Sequence, residues 1–186
     1  MNKVLKNPDY YDEYGNNYQN WIKKANELLI SSSILEDEYN KVINILKNQK
    51  DNKVPDEFFC RDSMIFLKAM ALELLLKGLY LKYTGNLLCK NNKYVGPKSH
   101  SLDKIANEIT VLELNEKETI LLKDLSLVLN FWGRYPTPMN SQYWRPKIKW
   151  LPKMKGVRPI YSWNEFNSVI LEKLLVEKIN PLLKTN

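Results

Sequence analysis

Between Gly133 and Tyr161 stand seven basic side chains, Arg134, Arg145, Lys147, Lys149, Lys153, Lys155 and Arg158, without a single acid. Tyr135, Tyr143, Trp144, Trp150 and Tyr161 are interleaved with them, and five of the nine prolines of the chain fall in the same 29 residues. Cations neutralise phosphates, and aromatic faces stack on unpaired bases for about 1 to 3 kcal/mol per base. The combination points to a phosphate-bearing ligand: RNA, single-stranded nucleic acid or a nucleotide. A plainer role is also open, in which the aromatics fasten the segment to the body and the cations form a solvated rim. Two observations favour the ligand. Irregular connections longer than about 12 to 15 residues are uncommon in compact domains and are usually functional or disordered. The whole chain carries +7, and the 21 cations outside the segment are matched by 21 acids, so the net positive charge is gathered here.

Three further residues have the chemistry for a site. Glu73 and Lys77 lie four apart with the acid nearer the N-terminus, the favourable order for a helix pair. They share a helix face with Phe66, Met70 and Tyr80, so a structural, partly covered ion pair is expected, with a ligand contact as the alternative. His100 is the sole histidine, and histidine is the side chain that ordinarily titrates near neutral pH. Its place between Ser99 and Ser101, just ahead of a helix, reads as a capping element, with proton transfer as the competing role. One His with Cys60 and Cys89 far apart supplies no metal-ligand set, so neither a metal nor a cofactor is expected. The sequence holds neither a Gly-rich phosphate loop nor a GxSxG elbow.

Helices must position these groups. Trp21, Ala25, Leu28, Ser32, Leu35, Tyr39, Val42 and Leu46 recur at alternating spacings of four and three, which predicts one long helix from about residue 17 to 46, with a break near Ser31-Ser32-Ser33. A second helix is expected over about 56–83, apolar on nearly every face through its middle and therefore surrounded by others. Gly85 and Asn86 stop it, and a linker of about fifteen residues containing Gly96-Pro97 comes next. A short helix opens at Ser101, the expected N-cap, and ends near Glu108. Asn115 and Glu118 have the spacing of a capping box at the head of a fourth helix running through Leu121, Leu122, Leu125, Val128, Leu129 and Trp132. Ser162 and Glu165 open a fifth, limited by Pro181. Residues 1–16 read as a polar arm or a loose first turn, and 147–151 alternate enough for a short hairpin. The expected fold is all-α, an up-and-down bundle of four to five helices forming a single domain over 1–186, with the long basic loop before the last helix.

A signal peptide is not expected at the N-terminus, whose first residues hold no apolar run of sufficient length. The most apolar stretch, residues 64–81, carries Lys68, Glu73 and Lys77, which argues against a membrane span. A cytoplasmic protein in a reducing compartment is the expectation.

Three segments read together: Ala71-Leu-Glu-Leu-Leu-Leu-Lys-Gly-Leu-Tyr-Leu81, Lys98-Ser-His-Ser-Leu-Asp-Lys-Ile105 and Trp132-Gly-Arg-Tyr-Pro-Thr-Pro138. In combination they resemble a HEPN-type domain, the helical family named for nucleotide binding in higher eukaryotes and prokaryotes. The resemblance implies a four- or five-helix bundle, commonly a homodimer, that binds nucleotide or RNA. Many relatives are metal-independent ribonucleases of toxin, abortive-infection or other antiviral systems, with an Arg followed four to six residues later by His. This sequence departs at that point, for neither Arg134 nor Arg61 is followed by a histidine. The leading expectation is therefore a HEPN-like binding module working through Arg134 and the basic loop. The alternatives are a metal-independent ribonuclease that pairs His100 with Arg134, and an antitoxin-like interaction module whose loop binds an acidic protein partner.

Overall fold

In a computed structural model, the structure describes residues 8–48, 60–132 and 165–184. These residues are mostly helical, in six helices, with one two-stranded hairpin. The helices are α1 (Pro8–Gly15), α2 (Tyr18–Asn48), α3 (Cys60–Thr84), α4 (Leu102–Asn107), α5 (Glu116–Leu127, continuing in π geometry over Val128–Trp132) and α6. The last runs through three consecutive stretches, Glu165–Lys173, the π-helical Leu174–Ile179 and Asn180–Lys184. The expected helix start at 56, the Ser162 cap and the 147–151 hairpin lie outside the described residues.

The long α2–α3 hairpin is the backbone of the molecule. Ala25, Ser32 and Val42 of the expected α2 face are buried, and Trp21, Leu28 and Leu35 pack on the core. The break at Ser31-Ser32-Ser33 does not occur. Each hydroxyl instead returns to a carbonyl of its own helix, Ser31 to Glu27 at 2.9 Å, Ser32 to Leu29 at 2.8 Å and Ser33 to Ile30 at 2.8 Å. Back-bonding of this kind satisfies a serine without ending the helix. In α3, Leu72, Leu75, Leu76 and Leu79 are all at most 1% exposed, so successive faces are buried, as the apolar pattern predicts for a surrounded helix.

Residues 8–15 of the expected arm or first turn are helical, and the linker after Gly85 contains a short hairpin. Leu88 and Cys89 lead into β1 (Cys89–Lys90), which pairs antiparallel with β2 (Lys93–Tyr94) in the register Cys89↔Tyr94 and Lys90↔Lys93. The turn residues Asn91 and Asn92 both take left-handed backbone, φ 53° and 59°. A two-residue turn with positive φ at both positions matches the twist of the flanking strands, and asparagine tolerates it well. Asn16, just after α1, fastens the hairpin. Its Oδ1 accepts from the Leu88 and Cys89 amides at 2.8 and 2.9 Å, and its Nδ2 donates to the Cys89 carbonyl at 2.7 Å. An Asn16→Ala chain leaves those buried groups without partners and should lose about 1 to 3 kcal/mol, read as a lower urea midpoint at unchanged slope. An unaltered midpoint would show that the clasp contributes nothing.

Ser101 stands at the N-cap of α4, yet its side chain makes no capping bond. The Leu102 amide is met by Ser126 Oγ of α5 at 2.8 Å, and that hydroxyl donates in turn to the Leu122 carbonyl at 2.6 Å. The cap thus comes from a neighbouring helix. At α5 both capping-box bonds form, Glu118 N to Asn115 Oδ1 at 3.0 Å and Asn115 N to Glu118 Oε2 at 2.8 Å. Glu118 is buried, and its Oε2 also takes Lys178 Nζ of α6 at 2.6 Å. The final helix passes Pro181 and runs on to Lys184. Proline inside a helix removes one hydrogen bond and clashes with the carbonyl four residues back, and a π register is one way a helix absorbs such a disturbance. The register changes immediately upstream, where Asn180 N bonds the Leu175 carbonyl. Lys82 Nζ and the Tyr83 hydroxyl of α3 then hold the Leu182 carbonyl, at 3.0 and 2.7 Å.

Candidate functional site

The middle of α3 carries the most concentrated buried charge among the described residues. Glu73 and Lys77, one turn apart, form an ion pair at 2.5 Å with side chains 8% and 11% exposed. Isolated charges are not stable at such depth, so each must have compensation. The lysine has it on several sides. Its ammonium meets the Glu73 carboxylate, lies 5.1 Å from the Tyr94 ring centroid and lies 5.8 Å from that of Trp21. Cations over aromatic faces gain from the ring quadrupole, more so when desolvated.

The rings are themselves fixed. Trp21 Nε1 donates to the Gly15 carbonyl at 2.7 Å, and the Tyr94 hydroxyl donates to the Pro97 carbonyl at 3.0 Å. Burial first, then the negative charge of Glu73, pushes the Tyr94 phenol well above its ordinary range, so it stays a neutral donor. The end of α1, the first turns of α2, the hairpin and the chain leading to α4 therefore converge on Lys77.

His100 completes the group from that last segment. Its Nδ1 lies 3.0 Å from Glu73 Oε2 and 3.1 Å from Oε1. An ionised carboxylate only accepts hydrogen bonds, so the ring nitrogen facing it carries a proton. The imidazole is therefore a partner of the buried carboxylate, and the expectation of a capping element is corrected. Its side chain is 35% exposed, against 8% for Glu73, so the histidine stands at the outer edge of the cluster. A carboxylate that orients an imidazole by one nitrogen and leaves the other toward solvent is a general way to prepare proton transfer.

Of the residues expected to carry function, the structure brings Glu73, Lys77 and His100 together. The expected phosphate-binding set, Arg134, Tyr135, Trp144, Arg145, Lys147, Lys149, Trp150, Lys153, Lys155 and Arg158, lies outside the described residues, and with it any contact of Arg134 with His100. Sequence reasoning missed Trp21 and Tyr94 as the rings enclosing Lys77. The signal for Tyr94 was the asparagine turn just before it, which returns a strand toward α3.

Among the described residues no group of three or more His, Cys, Asp or Glu side chains is arranged to hold a metal ion. No described helix is long and apolar enough to cross a membrane. No family model, curated protein or solved structure matches the chain.

Proposed function

We propose that the chain is a HEPN-like helical module, an up-and-down bundle working singly or as a homodimer, that binds RNA, single-stranded nucleic acid or a nucleotide through residues 133–161. The observation that carries this reading is the charge distribution: seven cations and five aromatics without an acid, on a chain otherwise balanced at 21 and 21. Such a segment attracts phosphate at long range and offers stacking faces at short range. A toxin or antiviral setting is the biological context that goes with it. The test is the ultraviolet spectrum of the freshly purified protein together with chromatography of its acid extract. Nucleotide or RNA in the extract is the expected result. An extract free of both, with an acidic protein held instead, would replace the ligand by an antitoxin-like partnership.

The second reading is a metal-independent ribonuclease, and the Glu73-held imidazole favours it. Cleavage of RNA needs a base for the ribose 2′-hydroxyl proton. The hydroxyl oxygen then bonds to phosphorus as the bond to the 5′-oxygen breaks, and that oxygen takes a proton. His100 would serve as the base, and Arg134 would stabilise charge on the phosphate. Cleavage in excess chelator should be seen with the wild-type chain and fall by about 10²-fold or more in His100→Ala. RNA left intact by the wild-type chain under all conditions would remove the nuclease while leaving the binding reading untouched.

A further inference from the structure

Helix α2 packs along one side against α3 and, at its start, against α1. Its far side carries Ile30, Ile34 and Ile45, which are 63%, 64% and 47% exposed. Apolar residues scattered singly on a surface are ordinary, whereas these three fall on one stripe. At the helical repeat, Ile30, Ile34, Glu38, Lys41 and Ile45 lie within about 40° of a single line along the helix, and all five are exposed. The last four are spaced four, three and four residues apart, the spacing at which one helix lies along another. Their chemistry also reads the same in both directions. The order is isoleucine, charge, charge, isoleucine, and the two charges have opposite signs, so the stripe turned end for end sets isoleucine on isoleucine and lysine on glutamate.

We propose that this stripe is the contact face for a second copy of the chain, with the two α2 helices lying antiparallel about a two-fold axis. A two-fold contact sets one patch against itself, so that residue i meets j and j meets i. In the register centred between Tyr39 and Asn40, Ile34 of each copy faces Ile45 of the other, and Glu38 of each faces Lys41 of the other. Within one chain Lys41 Nζ already lies 3.0 Å from Glu38 Oε2, with both side chains exposed. Such a surface pair is worth little alone. The axis joins two of them into four charges of alternating sign, flanked by isoleucines that leave water. Other arrangements lose the match. A parallel pairing sets Glu38 on Glu38 and Lys41 on Lys41, and an antiparallel one centred on Ile34 sets Ile30 on Glu38 and Lys23 on Ile45. The inference goes beyond the binding role of residues 133–161 and does not rest on it, since the pairing needs no nucleic acid.

The test is sedimentation equilibrium of the full chain over rising protein concentration, after nuclease treatment so that RNA cannot bridge two copies, and in low salt. The wild-type mass should climb from 22.0 kDa toward twice that value. Ile34→Lys acts twice across the axis and should weaken the pairing by about a hundredfold or more. Its circular dichroism and urea midpoint should stay those of the wild type, because the side chain lies outside the core. Glu38→Lys gathers four cations at the axis and Lys41→Glu four carboxylates, so each of these chains should remain single. An equimolar mixture of the two should pair again, since the lysines of one then face the glutamates of the other. A wild-type chain that stays at 22.0 kDa throughout overturns the proposal. So does an Ile34→Lys chain that pairs undiminished, or a mixture of the two charge-reversed chains that stays single. Failure of RNA binding leaves these masses as expected, and failure of the pairing leaves RNA binding by residues 133–161 in place, so the two readings fall separately.

Discussion

Replacing Glu73 with alanine should cost about 3 to 5 kcal/mol of folding stability, the range found when one partner of a buried ion pair is removed. The cost comes from what stays behind. Lys77 would be left without its carboxylate at a site where its side chain is 11% exposed, with the rings of Tyr94 and Trp21 as its remaining partners. Each such ring contributes about 0.5 to 2 kcal/mol, less than the desolvation cost of an ammonium. His100 would lose the acceptor that ties its segment to α3. Removing both charges together in Glu73→Leu/Lys77→Met should restore most of the loss, since an apolar pair of similar volume leaves no buried charge unpaired and only the His100 hydrogen bond is still missing. Urea midpoints at unchanged slope measure both effects. A loss below about 1 kcal/mol in Glu73→Ala would mean that the pair is well solvated, contrary to its burial.

The second large effect concerns residues 133–161. Reversing Lys147, Lys149, Lys153 and Lys155 to glutamate changes the charge of the segment from +7 to −1, four cations lost and four anions gained. Affinity for single-stranded nucleic acid rests largely on release of counterions by such cations, so the variant should bind about a thousandfold more weakly, or not at all, in low salt. Its thermal midpoint serves as the control that the helical body is intact. Full affinity in the reversed chain would place the ligand elsewhere on the protein and take the aromatic segment out of the binding function.

How far the sequence led depended on the range of the interaction. The α2 face from Trp21 to Val42, the all-round burial of α3 and the Asn115/Glu118 box are set by neighbours three or four residues apart, and helical spacing exposes them directly. The Glu73–Lys77 pair was legible for the same reason. The Ser126 hydroxyl that caps α4 lies 24 residues from the amide it serves, and the His100–Glu73 contact spans 27. Neither leaves a local pattern, so Ser101 stood in for the first and a capping role for the second. The hairpin is an intermediate case. Asn91-Asn92 is a turn signal, but strands of two residues are too short to show alternation, and their stability comes from Asn16 across 72 residues of chain. Helix α6 outran its expected end because a π register ahead of Pro181 depends on packing, including the hold of Lys82 on the final carbonyls.

A labelled single-stranded RNA titrated with the wild-type chain over a series of salt concentrations probes the phosphate-binding role most directly. Seven cations on a single strand predict a logarithmic slope of about −5 in affinity against salt, since each neutralised phosphate contributes about −0.7. Binding that is absent at low salt, or present with no dependence on salt, would contradict it.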